Sequence, residues 1–448
     1  MRSFWKTARL ATHAFAIMLI GYAEALAPSA AFGQHKQASD LESVNAVRKA
    51  AEQGDADAQA SLGVMYVQGQ GVPRDAAEAA SWFRKAAEQG NPRGQFDLGV
   101  TYANGQGVRQ DYAEAVRWFR KAAEQGYADA QANLGGMYAQ GRGVRQDYAE
   151  AVHWYRAAAE QGNARAQGDL GFLYACGYGV PKDYAEAVRW YRKAAEQGNA
   201  RAQYYLGSMY SDGSGVLQDD EDAVRWYRKA AEQGDADAQL SLALMYDQGQ
   251  GVPQDYAEAA RWYRKAADQG DEGGQLLLGD AYSHGQGVPQ DYTEAARWYR
   301  KAGEQGDAEA QRNLGLMYEQ GQGVPQDAAE AARWYRKAAQ QGHAEAQKIL
   351  GDMYANGHGV ARDAAEAARW YRKAAQQGYA EARKKLGLIW QIQQMIGWQF
   401  FLVLAGIAGA ALLAWRRWKS SARGEEDGRD QAACGTARRS TVTPTPKS

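Results

Sequence analysis

The feature that most constrains the fold of this chain is a tryptophan that returns every 36 residues. Around each copy lies a near-repeat of one phrase, for example DYAEAVRWFRKAAEQG starting at Asp111. A fixed period of this length is typical of stacked repeat architectures, in which each unit buries its apolar face against its neighbours. The spacing therefore predicts one array of nine units over 51–374, although 448 residues would otherwise suggest about three globular domains. The nine tryptophans are Trp82, Trp118, Trp154, Trp190, Trp226, Trp262, Trp298, Trp334 and Trp370.

Each unit is predicted to form a helical hairpin. In the unit Asp55–Gly90, apolar residues that include Leu62 and Tyr66 have the spacing of one helix face. The loop GQGVPRD ends this first helix, and Asp75 is then placed to cap a second helix whose inner stripe carries Trp82. A hairpin of this kind has one apolar face and needs its neighbours to cover that face.

A glycine inside the first helix indicates close packing. The pair Leu62–Gly63 recurs in every unit except the sixth, where Ala243 takes the place of the glycine. Glycine in a helix interior costs about 1 kcal/mol relative to alanine. Its recurrence predicts that a neighbouring helix passes too close to leave room for a Cβ atom.

These residues resemble the Sel-1-like repeat, a relative of the tetratricopeptide repeat. The shared pattern is a Leu-Gly-x-x-Tyr helix, a Gly-x-Gly-Val loop, an Asp, then Ala-x-x-Trp-Tyr-x-x-Ala-Ala and a closing Gly, over about three quarters of the chain. The resemblance implies an all-α fold, a right-handed α-solenoid of nine 36-residue hairpins that holds partner proteins. Residues 34–50 are then expected to be a linker with an N-terminal cap helix, and residues 375–390 a C-terminal cap helix.

The two ends of the chain carry targeting signals in this interpretation. Residues 1–33 have the basic start, short apolar run and small residues of an export signal peptide. Residues 395–415 have the length and apolar character of one C-terminal transmembrane helix, and Arg416 and Arg417 follow it directly. Since positive residues stay on the cytoplasmic side, the repeats are expected on the periplasmic or extracytoplasmic side, with a disordered basic tail over 416–448 in the cytoplasm.

Composition and motifs argue against several other functions. The 52 basic and 53 acidic residues leave a formal net charge of −1, which lacks the basic excess of a nucleic-acid binder. The six histidines are scattered without metal-ligand spacing, and the Gly-x-Gly loops lack the strand and Lys-Ser/Thr of a phosphate cradle. We therefore predict no catalytic, cofactor-binding or metal-binding residues, and a non-enzymatic protein.

The candidate partner-binding residues lie where the repeats disagree with one another. On the first helices, the positions equivalent to Asp57, Ala60, Ser61 and Val64 vary widely. In tetratricopeptide-like arrays the first helices line the concave surface, and Arg and aromatic side chains are enriched at binding hot spots. Neutral drift or packing between repeats would explain the variation equally well. The predicted partner-binding residues are Arg93, Phe96, Arg165, Phe172, Arg201, Tyr204, Tyr205, Leu240 and Leu276.

Two functional hypotheses follow from the sequence. The first is a protein–protein interaction scaffold or adaptor that is exported, held at the membrane through its C-terminal helix, and binds a peptide or protein in a concave groove. The alternative is an accessory factor or hydrolase that acts on cell-envelope glycan. Neither the partner nor the oligomeric state can be read from the residues.

Overall fold

The computed structural model describes residues 36–388, residue 391 and residues 402–416. The predicted signal peptide over 1–33, residues 395–401 of the predicted span and residues 417–448 of the predicted tail lie outside these residues. Within the described part of the chain the regular elements are helices, and no β-strand occurs. This agrees with the all-α prediction.

The described residues divide into two compact units. The N-terminal unit runs to Ala281 and includes Gly285–Pro289; the C-terminal unit comprises Tyr282–His284 and the described residues from Gln290 onward. Further helical backbone covers 380–388 and 402–416. The helices, in chain order, are α1 (Lys36–Glu52), α2 (Ala56–Gln68), α3 (Ala76–Glu88), α4 (Pro92–Asn104), α5 (Tyr112–Glu124), α6 (Ala128–Gln140), α7 (Tyr148–Glu160), α8 (Ala164–Cys176), α9 (Tyr184–Glu196), α10 (Ala200–Asp212), α11 (Asp220–Glu232), α12 (Ala236–Gln248), α13 (Tyr256–Asp268), α14 (Glu272–His284), α15 (Tyr292–Gln305), α16 (Ala308–Gln320), α17 (Ala328–Gln340), α18 (Ala344–Asn356) and α19 (Ala364–Gln376).

The helix ends follow the capping chemistry that the repeat phrase predicts. Asp55 accepts a hydrogen bond from the Ala58 backbone nitrogen at 2.7 Å at the start of α2. Asp75 accepts from the backbone nitrogens of Ala77 and Glu78 at 2.9 and 3.0 Å at the start of α3. The first helix ends at Gly69, whose φ of 73° lies in the left-handed region that glycine tolerates. The capping residues of the repeat phrase therefore lie where the helices of these hairpins begin and end.

The close approach predicted at Gly63 is present. A Cβ atom built on Gly63 would lie 2.5 Å from the ring of Phe83, which belongs to the second helix of the same hairpin. The same conflict recurs between Gly171 and Tyr191 at 2.9 Å and between Gly351 and Tyr371 at 2.7 Å. The aromatic residue after each tryptophan thus fills the space that the missing Cβ leaves.

The repeating tryptophans pack inward, and a lysine covers most of them. Trp298 is 2% exposed, and Trp190, Trp262, Trp334 and Trp370 are also buried. The other four tryptophans are half-buried. In every repeat except the third, the lysine three residues on lies 3.7–4.4 Å from the centre of the indole ring, so that the ring contributes to the core on one side and to a cation–π contact on the other.

A ladder of buried glutamines links successive repeats, a feature that our sequence analysis did not predict. Gln59 is buried, donates from Nε2 to the backbone oxygen of Ala51 at 3.0 Å, and accepts from Gln89 at 2.7 Å. Buried polar groups are costly unless they are paired, so each pair favours one register between neighbouring hairpins. The same side-chain pair recurs as Gln125–Gln95, Gln161–Gln131, Gln197–Gln167, Gln233–Gln203, Gln269–Gln239, Gln341–Gln311 and Gln377–Gln347.

Helices also flank the repeats at both ends. Val44 and Ala51 of α1 are buried, and Val44 contacts the loop of the first repeat at Gly71. At the other end, Ala382 is buried and Leu386 packs near it. The helix over 402–416 exposes its apolar side chains, and no helix among the described residues is long and apolar enough to cross a membrane. The predicted transmembrane helix over 395–415 is therefore not supported.

Candidate binding face

The candidate site is the face of the first helices that carries the positions equivalent to Asp57, Ala60, Ser61 and Val64. We call it the first-helix face. In the N-terminal unit these positions lie on α2, α4, α6, α8, α10, α12 and α14, and in the C-terminal unit on α16 and α18. The core positions of each helix are nearly constant, whereas these face positions vary widely from one repeat to the next.

Five residues of the second and third repeats form what we call the Phe96 cluster: Arg93, Phe96, Asp97, Tyr127 and Asp129. The ring of Phe96 lies 5.3 Å from that of Tyr127, at an interplanar angle of 43°. Arg93 is half-exposed, and its Nε lies 3.8 Å from Oδ2 of Asp97, beyond hydrogen-bonding distance. Asp129 is exposed and accepts from Nδ2 of Asn163 at 2.8 Å. The cluster therefore places two ring faces beside two carboxylates.

Asp97 is the least well compensated carboxylate of this cluster. Its side chain is 19% exposed, and its Oδ2 is buried without a hydrogen-bond partner. Burial, opposed by Arg93 and reinforced by Asp129, raises the pKa of Asp97 to about 7. A carboxylate in this state gains more from an added positive charge than one that is already paired.

Tyr127 shows that the third repeat departs from the capping pattern. Most repeats carry Asp or Asn at this position, and that side chain caps the first helix. Tyr127 makes no such bond, which costs a helix start about 1 kcal/mol. Its ring packs on Phe96 instead. Sequence analysis missed Tyr127, Asp97 and Asp129, although an aromatic residue at a capping position was a visible signal.

Three repeats further on, six residues form the Arg201 cluster: Phe172, Arg201, Tyr204, Tyr205, Asp235 and Asp237. The Arg201 guanidinium lies 5.3 Å from the ring centre of Tyr204 and 5.2 Å from that of Tyr205. It donates to Asp237 at 2.7 Å and to Asp235 at 3.4 Å. Phe172 reaches the cluster from the preceding repeat, with its ring centre 6.3 Å from that of Tyr205. Four of the nine predicted residues thus lie together.

The remaining predicted partner-binding residues differ in their contacts and in their exposure. Arg165 lies between the two clusters and donates to Asn133 at 3.1 Å, which ties the third repeat to the fourth. Leu276 is half-buried on α14. Leu240 is only 4% exposed, so it belongs to the core and offers a partner no accessible surface. Phe96, Tyr204 and Leu276 occupy the equivalent position in other repeats and are partly exposed, so the burial of Leu240 depends on the side chains around it and not on its repeat position alone.

On the first-helix face of the C-terminal unit, the charged side chains pair with one another. Arg312 donates to Glu345 at 2.7 Å, and Lys348 lies 3.2 Å from Glu381. Asp352 accepts from Tyr371 at 2.5 Å, is paired with Lys348 at 3.0 Å, and also accepts from Lys385. Burial alone would raise the pKa of Asp352, but hydrogen bonds from Lys385, Tyr371 and Lys348 outweigh it and lower the pKa.

Other features of the described residues do not coincide with this face. A surface depression of about 660 Å³ lies at the loop of the third repeat, lined by Tyr138, Val144, Arg145, Gln146, Asp147 and Tyr148. None of the predicted partner-binding residues lines it. Among the residues that the structure describes, no group of three or more His, Cys, Asp and Glu side chains is arranged to hold a metal ion.

Near-identical helical hairpins with a varying first-helix face define an α-helical repeat protein. The chain belongs to the Sel1 repeat family, whose sequence model, described as "Sel1 repeat", matches nine successive segments from residue 56 to residue 379. Proteins of this family are generally scaffolds for protein–protein interaction, and the fold is typically non-enzymatic. The matched segments are 56–91, 92–127, 128–163, 164–199, 200–235, 236–271, 273–307, 308–343 and 344–379.

Two solved structures are similar to this chain. The chain is 38% identical to a Sel1 repeat protein from Oxalobacter formigenes, with a TM-score of 0.53; the match covers 74% of this chain and 98% of the other. It is also 38% identical to a protective antigen of uropathogenic Escherichia coli strains that displays an SLR fold, with a TM-score of 0.48 and coverage of 78% and 90%. No match was found among curated proteins.

Proposed function

We propose that this protein is a non-enzymatic scaffold that binds a peptide or protein segment along the first-helix face of its N-terminal unit. The observation that carries the proposal is the contrast between constant core positions and varying face positions in otherwise near-identical repeats. At those varying positions the Phe96 and Arg201 clusters gather aromatic rings and charges. Such side chains dominate binding energy where a rigid frame already holds them in place, because little ordering remains to oppose association.

The binding face is tested by substitution in the full-length chain. Tyr204→Ala combined with Tyr205→Ala is expected to weaken capture of a partner at least about tenfold, which is typical of losing a binding hot spot. The matched control is Tyr184→Ala combined with Tyr256→Ala, because both tyrosines are exposed and lie on second helices. Circular dichroism of each variant checks that the helices are retained.

Two outcomes would overturn the proposal. Capture that is unchanged in the Tyr204/Tyr205 variant, or weakened equally in the Tyr184/Tyr256 control, would remove the first-helix face from binding. Turnover of cell-envelope glycan by the purified chain would instead favour the hydrolase alternative.

Export of the repeats is also our proposal and rests on the sequence alone. The apolar run near the N-terminus and the small residues after it favour secretion, and the arginines after residue 415 favour a cytoplasmic C-terminus. Protease treatment of intact cells, followed by membrane permeabilisation, tests this orientation. Repeats that remain resistant to the protease after the outermost membrane is permeabilised would contradict it.

A further inference from the structure

The Phe96 and Arg201 clusters occupy the same repeat positions and carry the same kinds of residue. Three repeats, or 108 residues, separate Arg93 from Arg201, Phe96 from Tyr204, and Asp129 from Asp237. The same interval relates Asp97 to Tyr205 and Tyr127 to Asp235. At these five equivalent positions each cluster has one arginine, two aromatic rings and two aspartates, but one ring and one aspartate have exchanged places; Phe172 is an additional ring in the Arg201 cluster.

This exchange changes how the arginine of each cluster is paired. In the Arg201 cluster the guanidinium lies beside two rings and donates from Nη1 to two carboxylates, at 2.7 and 3.4 Å, and only its buried Nε has no hydrogen-bond partner. In the Phe96 cluster Arg93 is half-exposed and makes no hydrogen bond to Asp97, whose Oδ2 remains without a partner. The Arg201 cluster thus shows how a cation fits between rings and carboxylates, whereas in the Phe96 cluster the half-exposed Arg93 forms only a 3.8 Å ion pair with Asp97 and leaves its Oδ2 without a hydrogen bond.

We propose that the Phe96 cluster binds a basic side chain, arginine or lysine, presented by an extended segment of a partner protein. The carboxylates of Asp97 and Asp129 pair with the incoming charge, and the rings of Phe96 and Tyr127 lie against it as Tyr204 and Tyr205 lie against Arg201. Cations are attracted to aromatic ring faces, and the attraction is largest where water is excluded. The proposal rests on the proposed function, because it names the chemistry of the partner on the same face.

The electrostatics of Asp97 make this binding dependent on pH. The charged groups that act on Asp97 are Arg93 on its own helix and Asp129 on the first helix of the next repeat, with Tyr127 beside them. Because the pKa of Asp97 is raised to about 7, the carboxylate must lose a proton to pair with a cation. Binding of a basic side chain is therefore expected to strengthen between about pH 6 and about pH 8.

The test measures the affinity of the full-length chain for a fluorescent peptide of alternating arginine and serine. Asp97→Asn and Asp129→Asn are each expected to weaken binding about tenfold, as for one lost charge-assisted hydrogen bond. The matched control is Glu309→Gln, at the repeat position of Asp129 but in the C-terminal unit, where His343 pairs with the carboxylate at 3.0 Å. This control is expected to bind as the unaltered chain does, and the Asp97→Asn variant to lose the pH dependence.

A peptide with glutamate in place of arginine is expected not to bind. The inference is overturned if this acidic peptide binds as well as the basic one, if Asp97→Asn leaves the affinity unchanged, or if Glu309→Gln weakens binding equally. These results are separable from failure of the proposed function. Partner capture that depends on Tyr204 and Tyr205 but ignores Asp97 would retain the scaffold and remove only the basic-segment specificity.

Discussion

Two mostly buried carboxylates on the first-helix face, Asp97 in the N-terminal unit and Asp352 in the C-terminal unit, have opposite surroundings. The two side chains are similarly exposed, at 19% and 22%, but burial dominates at Asp97, whose Oδ2 has no hydrogen bond. At Asp352 hydrogen bonds from Lys385, Tyr371 and Lys348 outweigh burial. The pKa is accordingly raised at Asp97 and lowered at Asp352.

The comparison shows that one repeated frame supports two kinds of surface. In the C-terminal unit the charged side chains of the first-helix face pair with one another and so link one repeat to the next. In the N-terminal unit Oδ2 of Asp97 has no hydrogen-bond partner within the fold, and our proposal for a basic partner rests on this difference. A site kept for binding is often less stable by itself than a site satisfied within the protein.

The largest expected effect tests whether the cores of the two units are equivalent. Tyr191 and Tyr335 are both almost fully buried at equivalent positions of the second helices. Tyr191→Ala and Tyr335→Ala should each lower the free energy of unfolding by about 3–5 kcal/mol, as truncation of large buried aromatics does. Urea denaturation of the two variants measures this. A loss in only one unit would mean that the units differ in their cores and not only in their surfaces.

A smaller loss of stability is expected when ion pairs on the first-helix face of the C-terminal unit are broken. Asp352→Asn removes the charge that Lys348 and Lys385 share, and should lower the free energy of unfolding by about 2–3 kcal/mol near neutral pH. Since the folded-state pKa of Asp352 is lowered, its stabilising effect is present above the unfolded pKa and is lost as the pH falls. Thermal melts at several pH values should show the variant and the unaltered chain converging in acid; a constant difference would contradict this.

The smallest expected effect has the opposite sign. Asp97→Asn should raise the free energy of unfolding by about 1–3 kcal/mol at pH 8, because it removes a poorly compensated charge. The folded-state pKa of Asp97 is raised, so its contribution to stability is fully present below the unfolded pKa and is lost as the pH rises through about 7. The same melts should therefore show no gain near pH 4. Destabilisation at pH 8 would mean that Asp97 has a partner in the fold.

Much of the fold could be predicted because the repeat phrase combines local signals. Asp75 and its equivalents in the other repeats cap a helix, and Gly63 is unusual in a helix interior. Capping and close packing could therefore be predicted at these positions without tertiary information. The glutamine ladder was equally visible as an invariant polar position, Gln59 and its copies, but its meaning depends on contacts with the neighbouring repeat. An invariant polar residue inside an apolar helix face should therefore be interpreted as a paired buried group.

The candidate site was less predictable for a physical reason. Variation among repeats identified Arg201 and Tyr205, which do meet, but it also identified Leu240, which is buried. It could not distinguish Arg201, which donates to two aspartates, from the half-exposed Arg93, since both occupy the same repeat position. That distinction depends on side chains from two successive repeats. In particular, it depends on which residue occupies the capping position of the next repeat, Tyr127 beside Arg93 or Asp235 beside Arg201.

Titration of the aspartate carboxyl carbons by NMR tests the comparison most directly. With selectively labelled aspartate, and with Asp97→Asn and Asp352→Asn to assign the signals, Asp97 is expected to titrate at about 7 and Asp352 below its ordinary range. Addition of the arginine–serine peptide should lower the pKa of Asp97 and leave that of Asp352 unchanged. If both carboxyls titrate in the ordinary range, or if the peptide shifts both alike, the two faces do not differ as described.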